Sequence, residues 1–256
     1  MNVTTVLESL FRWTHVVAGI LWIGLLYFFN WVNSAFAPTL DAESKKKVVP
    51  ELMPRALYWF RWGAAWTWAT GVLLLALVFY HGKLAMESQP PAWSAGAYVM
   101  AAVTFLGVFV YDILMKSLGK SNLKAAVAIG YVLIVVVIYL FQHWAGFSYR
   151  GTAIHTGSLF GTIMAFNVWY RIWPAQQKII RAIKDGQAPD AALVSLAGLR
   201  SRHNTYLSIP LVWTMVNAHT TWAAGANAWI YTSGAVLLGW WIGSMLFKRA
   251  PKVKGF

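Results

Sequence analysis

Seven apolar runs, each near the length of a bilayer crossing, alternate with short polar stretches along the chain. A helix crosses the hydrocarbon core in about 20 residues. The runs are Phe11–Asn33, Trp59–Tyr80, Ala95–Met115, Ala125–Gly146, Thr152–Trp173, Tyr206–Ala223 and Ala228–Phe247. Between them lie Pro38 and a lysine run, Pro90–Pro91, Gly119–Lys120, a Gly146–Gly151 turn, and a polar stretch from Pro174 to Thr205. That last stretch reads as a cytoplasmic amphipathic loop at about 174–205. It predicts two short helices, the second starting near Pro189-Asp190. The pattern predicts an all-α integral membrane protein, a bundle of about seven transmembrane helices in a single domain over 1–256.

Charge orients the bundle. Alternate loops collect 18 of the 21 Lys and Arg on one side, leaving only Arg12, Lys83 and Arg150 on the other. Cytoplasmic loops are the basic ones, so the N-terminus is expected outside and the C-terminus in the cytoplasm. The net charge of +13 then belongs to topology and anionic lipid. No basic stripe lies outside the loops, so no nucleic-acid partner is expected. Ala35-Phe36-Ala37 resembles a signal-peptide cleavage site, but the run before it exceeds a signal's 7–15 apolar residues, and cleavage is not expected. Composition agrees: 59% of residues are hydrophobic and 11% charged, against roughly 25% charged in soluble domains. With no cysteine, disulfides, thiolate metal sites and c-type haem attachment are excluded.

Ionisable side chains within a span are costly and mark function by default. His15 and His155 lie just inside the outer ends of the first and fifth runs, and His219 just inside the outer end of the sixth. At 1.5 Å per residue all three sit roughly 5–6 Å deep. His81 and His143 lie at the outer ends of the second and fourth runs; only His203 is cytoplasmic. Several histidines in one membrane layer, without cysteine, suit the axial imidazoles of haem b. His15, His155 and His219 are the candidate iron ligands, their pairing open. Ala18 and Gly19 near His15, and Gly157 and Gly161 near His155, would let a flat ring approach. Against this stands plain helix packing, each His bonding a neighbouring helix and Gly157-x-x-x-Gly161 serving as a contact stripe.

A second polar group gathers at the cytoplasmic end: Asn30, Asn33, Asp112, Asn167, Arg171, and the string Arg202-His203-Asn204-Thr205. Asn, Arg and His together suit a planar hydrogen-bonding anion or a quinone head. Interhelical bonding with snorkelling Arg explains them equally.

Three stretches carry a family resemblance. RWTHVVAGILWIGLLYFFNWVN resembles the first helix of the membrane domain of bacterial PuuD-type urate oxidases (urate hydroxylases). HTGSLFGTIMAFNVWYRIWPAQQ is similar to their fifth helix, and RHNTYLSIPLVWTMVNAH to their sixth. The resemblance places His15, Trp22, Asn30, His155, Asn167, Arg171, His203, Asn204 and His219 on matching positions. It implies a bacterial inner-membrane protein that hydroxylates urate and passes the electrons to a c-type cytochrome. Family members continue into an eighth helix and a periplasmic cytochrome c domain. This chain ends after its seventh run without C-x-x-C-H, so a separate cytochrome is expected.

The expectation is therefore a haem b membrane oxidoreductase. Its purine substrate meets Asn30, Asn167, Arg171, His203 and Asn204, and its electrons leave by a c-type cytochrome. One alternative is a non-catalytic membrane subunit, haem-binding or structural, among other respiratory subunits. Another is a small-solute transporter, for which the sequence lacks the internal repeats and broken-helix pairs.

Overall fold

The computed structural model describes residues 2–88, 92–225 and 227–255; the Pro90–Pro91 break lies outside the described residues. Among the described residues the structure is helical throughout, with one isolated bridge between Met86 and Phe147. Its principal helices are α1 (Val3–Tyr27), α2 (Ala42–Leu74), α3 (Ala95–Lys116), α4 (Leu123–His143), α5 (Tyr149–Asn167), α6 (Trp173–Lys184), α7 (Ala191–Asn217) and α8 (Ala228–Arg249). Three π-helical turns extend them: π1 (Phe28–Asn33) follows α1, π2 (Leu75–His81) follows α2, and π3 (Val168–Ile172) joins α5 to α6.

Side-chain caps fix several helix starts. Ser94 accepts the Ala97 amide at α3, Asn122 the Ala125 amide at α4, and Asp190 the Ala192 amide at α7. Each satisfies a donor that the first turn leaves open. At α2, Asp41 accepts from the Ser44 amide and hydroxyl, which hold its carboxylate below the ordinary value. Gly146 and Gly186 take positive φ in the turns after α4 and α6, a conformation that glycine adopts without penalty.

Two boundaries differ from the sequence pattern. Helix α2 starts at Ala42 and carries the lysine run, Pro50 and Pro54 in its N-terminal half, so the second run is the end of a longer helix. The second helix of the polar stretch is not short. It begins at Ala191, as the Pro189-Asp190 signal implies, and continues through Pro210 to Asn217. The chain from Ala191 to Thr205 has no residue that stops a helix, so polarity changes along it while the backbone does not.

Among the described residues five helical stretches are long and apolar enough to cross a membrane: Val3–Thr39, Ala42–His81, Ala95–Ser121, Leu123–His143 and Ala228–Lys252. The fifth and sixth runs form helices, α5 and α7, of lower hydropathy. These two carry the buried polar groups. Of fifteen buried polar or charged side chains among the described residues, five are on α5 and five on α7. A helix shielded by protein may carry polar groups if they are hydrogen-bonded, whereas a lipid-facing one may not.

The chain forms two compact units. The first comprises Met1–Glu8, Gly71–Ile163 and Pro210–Gly239. Its buried cluster includes Ala85, Met86, Ala97, Met100, Phe141 and Phe147, and α3 packs against α4. Here α5 meets α7 at Gly157, where an added Cβ would press on the Thr214 hydroxyl and on Met215 Cε at 2.8 Å. The space beside this glycine is thus filled by a helix. The second unit comprises Ser9–Thr70, Met164–Ile209 and Trp240–Phe256. In it α1 closes on α2 where Gly63 lies against the Ala18 carbonyl and Trp22, and Ala175 and Ile179 of α6 pack on Ala197 of α7.

The two glycines of Gly157-x-x-x-Gly161 differ in what they touch. A Cβ at Gly161 would meet Leu211 Cδ1 at an ordinary 3.6 Å. Gly157→Val is expected to lower stability by about 1–3 kcal/mol through overpacking, while Gly161→Ala leaves it nearly unchanged. Thermal unfolding of the detergent-purified variants reads the difference.

Candidate functional site

The second unit contains a half-open cavity of about 630 Å³. Two of the three π-turns line it: π1 gives Phe29, Asn30 and Asn33, and π3 gives Ile172. A π-turn widens the helix by one residue and recurs at functional sites. Helix α7 supplies Ser195, Gly198, Ser201 and Arg202, and α2 supplies Leu57 and Phe60. The wall is apolar and aromatic, with Phe29 meeting Phe60 edge-on at 5.3 Å. The Asn30 amide donates to the Leu26 carbonyl at 3.0 Å and to Ser201 Oγ at 2.8 Å, which aims its carbonyl oxygen elsewhere. The Arg202 guanidinium lies 5.2 Å from the Phe247 ring centroid, over a residue that also lines the cavity.

Of the expected substrate residues, only Asn30 lines this cavity. Asn167 and Asn204 are fully buried and meet each other instead: Asn167 Nδ2 donates to Asn204 Oδ1 at 2.9 Å, and Asn204 Nδ2 donates to the Met164 carbonyl at 3.0 Å. Arg171 lies with its guanidinium 5.2 Å from the Phe166 ring centroid and donates to the Tyr170 carbonyl. His203, which precedes the sixth apolar run, is pushed down to about 4 by burial and then by the cations of Arg200 and Arg202. It is neutral at physiological pH.

The helix explains this partition. Successive residues turn by about 100°, so Arg202, His203 and Asn204 cannot all face one side. Ser195, Gly198, Ser201 and Arg202 share the cavity face, and His203 and Asn204 fall on the other. Arg202 was legible as part of the string Arg202-His203-Asn204-Thr205; Ser201, beside it, was not singled out by the sequence. Phe29 and Phe60 had no signal above the apolar background.

The expected iron ligands also part. His15 belongs to the second unit, and His155 and His219 to the first. His15 is half-buried, its Nδ1–H donating to the Thr67 carbonyl at 2.9 Å. His155 is fully buried, its Nδ1–H donating to the Gly151 carbonyl at 2.7 Å and its Nε2 accepting from the Tyr80 hydroxyl at 3.0 Å. The Phe147 ring stacks on it at 4.1 Å, with Phe141 and Tyr80 nearby. His219 is exposed, in the turn after α7. His81 and His143 are exposed at the ends of π2 and α4. Among the described residues no three His, Cys, Asp or Glu gather into a metal-binding group.

The donor chemistry of His15 and His155 fits an axial imidazole. In each, a backbone carbonyl fixes the proton on Nδ1 and so leaves the lone pair on Nε2, the usual arrangement behind a metal ligand. At His155 that lone pair already takes the Tyr80 hydroxyl, and three aromatic rings close around it. A porphyrin reaches this nitrogen only if Tyr80 withdraws. Among the described residues His219 has no side-chain hydrogen-bond partner, and it is exposed.

The class of protein is thus an all-helical one with five helices long and apolar enough to span a membrane, and a polar-ended aromatic cavity. Its sequence matches the model of the urate oxidase N-terminal family over residues 40–254, and the chain belongs to that family. No curated protein and no solved structure matches it.

The amide bridge and the cavity are separable. Asn204→Leu removes the acceptor of the Asn167 amide and the donor to Met164, and is expected to cost about 1–3 kcal/mol. Asn30→Ala, at the cavity edge, removes the part-buried bonds to Leu26 and Ser201 and is expected to cost less, about 0.5–1.5 kcal/mol. Unfolding midpoints of both variants check the contrast.

Proposed function

We propose that the chain is a membrane-embedded urate-oxidising oxidoreductase, with the cavity of the second unit as its purine site. The observation that carries this is a cavity lined by the Arg202 guanidinium, the oriented Asn30 amide and an aromatic wall, with two π-turns among its lining segments, in a member of the urate oxidase N-terminal family. Urate is a planar anion at neutral pH. Arg202 would hold its negative edge, the Asn30 carbonyl oxygen would accept from a ring N–H, and Phe29 and Phe60 would cover its faces. Charge-assisted bonds of this kind are the strong ones.

The orientation that goes with it has the N-terminus outside and the C-terminus in the cytoplasm of a bacterial inner membrane, as the asymmetry of Lys and Arg supports. The cavity then opens on the basic, cytoplasmic side, where urate arrives. Hydroxylation by water releases two electrons and two protons, and the electrons go to a c-type cytochrome. Haem b, when bound, supplies one-electron steps between the two. His15 and His155 are the residues whose anchored Nδ1–H suits its iron.

A second reading is a non-catalytic subunit of an electron-transfer complex. The satisfied, fully packed state of His155 favours it, since a structural histidine needs no more than these two bonds.

Absorption spectra of the detergent-purified protein separate the two. The enzyme reading expects a b-type spectrum that anaerobic urate reduces. A b-type spectrum reduced by dithionite alone leaves the subunit reading, and a flat spectrum from protein expressed with ample haem removes haem from both. In the enzyme, Arg202→Gln is expected to raise the KM for urate on the order of tenfold to a hundredfold, with kcat little changed because the contact is made in ground and transition states alike.

A further inference from the structure

In the second unit Arg61 of α2 is caged by aromatic rings and has no acid. Its guanidinium carbon lies 3.9 Å from the Trp173 ring centroid, 5.5 Å from Tyr58 and 6.0 Å from Trp169. Among the described residues it forms no ion pair, and its Nη1 has no hydrogen-bond acceptor. That Nη1 is buried while the residue as a whole is half-buried; stacking on a ring engages the face of a guanidinium and leaves its in-plane N–H groups to seek an oxyanion. The chain holds 21 Lys and Arg against 8 Asp and Glu, so protein carboxylates are scarce as counter-ions.

The surface beside this cation is apolar. Tyr58, Trp62 and Trp66 follow one another at four-residue steps, which places them along one side of the helix. They are 46%, 41% and 57% exposed. Trp62 meets Trp169 edge-on at 5.6 Å, so the ridge is continuous with the cage. An inorganic anion would use the guanidinium and waste the ridge. A ligand that matches both is an amphiphile with an anionic head and a long apolar tail.

We propose that Arg61, with Trp169 and Trp173 beneath it, is a binding site for the phosphate of an anionic phospholipid. The acyl chains lie along Tyr58, Trp62 and Trp66. The head is held near the start of the second apolar run, at Trp59, on the side of the basic N-terminal half of α2, where the anionic leaflet is expected. The inference rests on the chain spanning a bilayer and owes nothing to the urate or haem readings.

The test uses the full chain, delipidated in detergent, with dioleoylphosphatidylglycerol, dioleoylphosphatidylcholine or inorganic phosphate added. Retained lipid is counted by native mass spectrometry and unfolding temperature is measured alongside. Phosphatidylglycerol should be retained in preference to phosphatidylcholine and should raise the unfolding temperature. Arg61→Gln should cut that retention about fivefold, the loss of one surface cation. Trp66→Ala should weaken retention of both lipids, and Arg181→Gln on the exposed face of α6 should change neither. Equal retention by Arg61→Gln and the parent overturns the site, as does the same loss from Arg181→Gln, which would mark diffuse attraction. A temperature rise reproduced by inorganic phosphate overturns the lipid as its ligand. Extraction of the parent protein from membranes by alkaline carbonate would remove the bilayer reading itself, whereas failure of the Arg61 contrast in an embedded protein removes this inference alone.

Discussion

The bridge between Asn167 and Asn204 is the contact on which the second unit depends. It ties α5 to α7 through two buried amides, and Asn204 extends it to the Met164 carbonyl. In an apolar interior an amide without partners costs several kcal/mol, so this pairing admits few alternative registers. Side chains in van der Waals contact slide past one another more cheaply than paired amides do. The π3 turn begins at the residue after Asn167. Anchoring the last α-helical residue so firmly leaves the wider turn to be accommodated downstream, and it is there that Ile172 enters the cavity wall.

The same constraint explains why the sequence was easier to read at its edges than at its centre. α1, α3, α4 and α8 present large apolar side chains outward, Trp13, Val16 and Ile20 among them, and hydropathy finds such helices directly. α5 and α7 bury Thr152, Thr156, Thr205 and Ser208, whose hydroxyls bond within their own helices or to their neighbours. Their lower hydropathy is a consequence of being covered by protein. The helix from Ala191 to Asn217 crosses from polar to apolar composition without a break, because composition follows surroundings while helicity follows propensity and capping.

Site residues were legible as a group and misleading as a list. Asn30 faces the cavity and Asn204 does not, though both are amides near the same end of the chain's apolar runs. What distinguishes them is angular position on a helix. Counting by turns separates Arg202 from His203, but it cannot say which face meets a cavity, because that depends on a partner distant in sequence. Ser201 meets Asn30 across 171 residues. Tyr80 was invisible as the partner of His155 for the same reason, since 75 residues separate them and nothing local to either marks the pair.

His15 and His155 show how one anchoring device serves two ends. Each gives its Nδ1–H to a carbonyl and so fixes the tautomer. For His155 the carbonyl belongs to Gly151, one turn earlier in its own helix, where a Cβ would collide with the Ala85 carbonyl. The imidazole is therefore held by a backbone that is itself locked in place. Its Nε2, by contrast, meets a hydroxyl carried on π2, a turn of wider gauge than the helix before it. The two bonds of this histidine thus differ in kind, one to a rigid helix and one to a side chain on an irregular segment. Of the two, the Tyr80 bond is the one that any ligand approaching Nε2 would have to displace, and Tyr80 is itself packed on the buried cluster of the first unit.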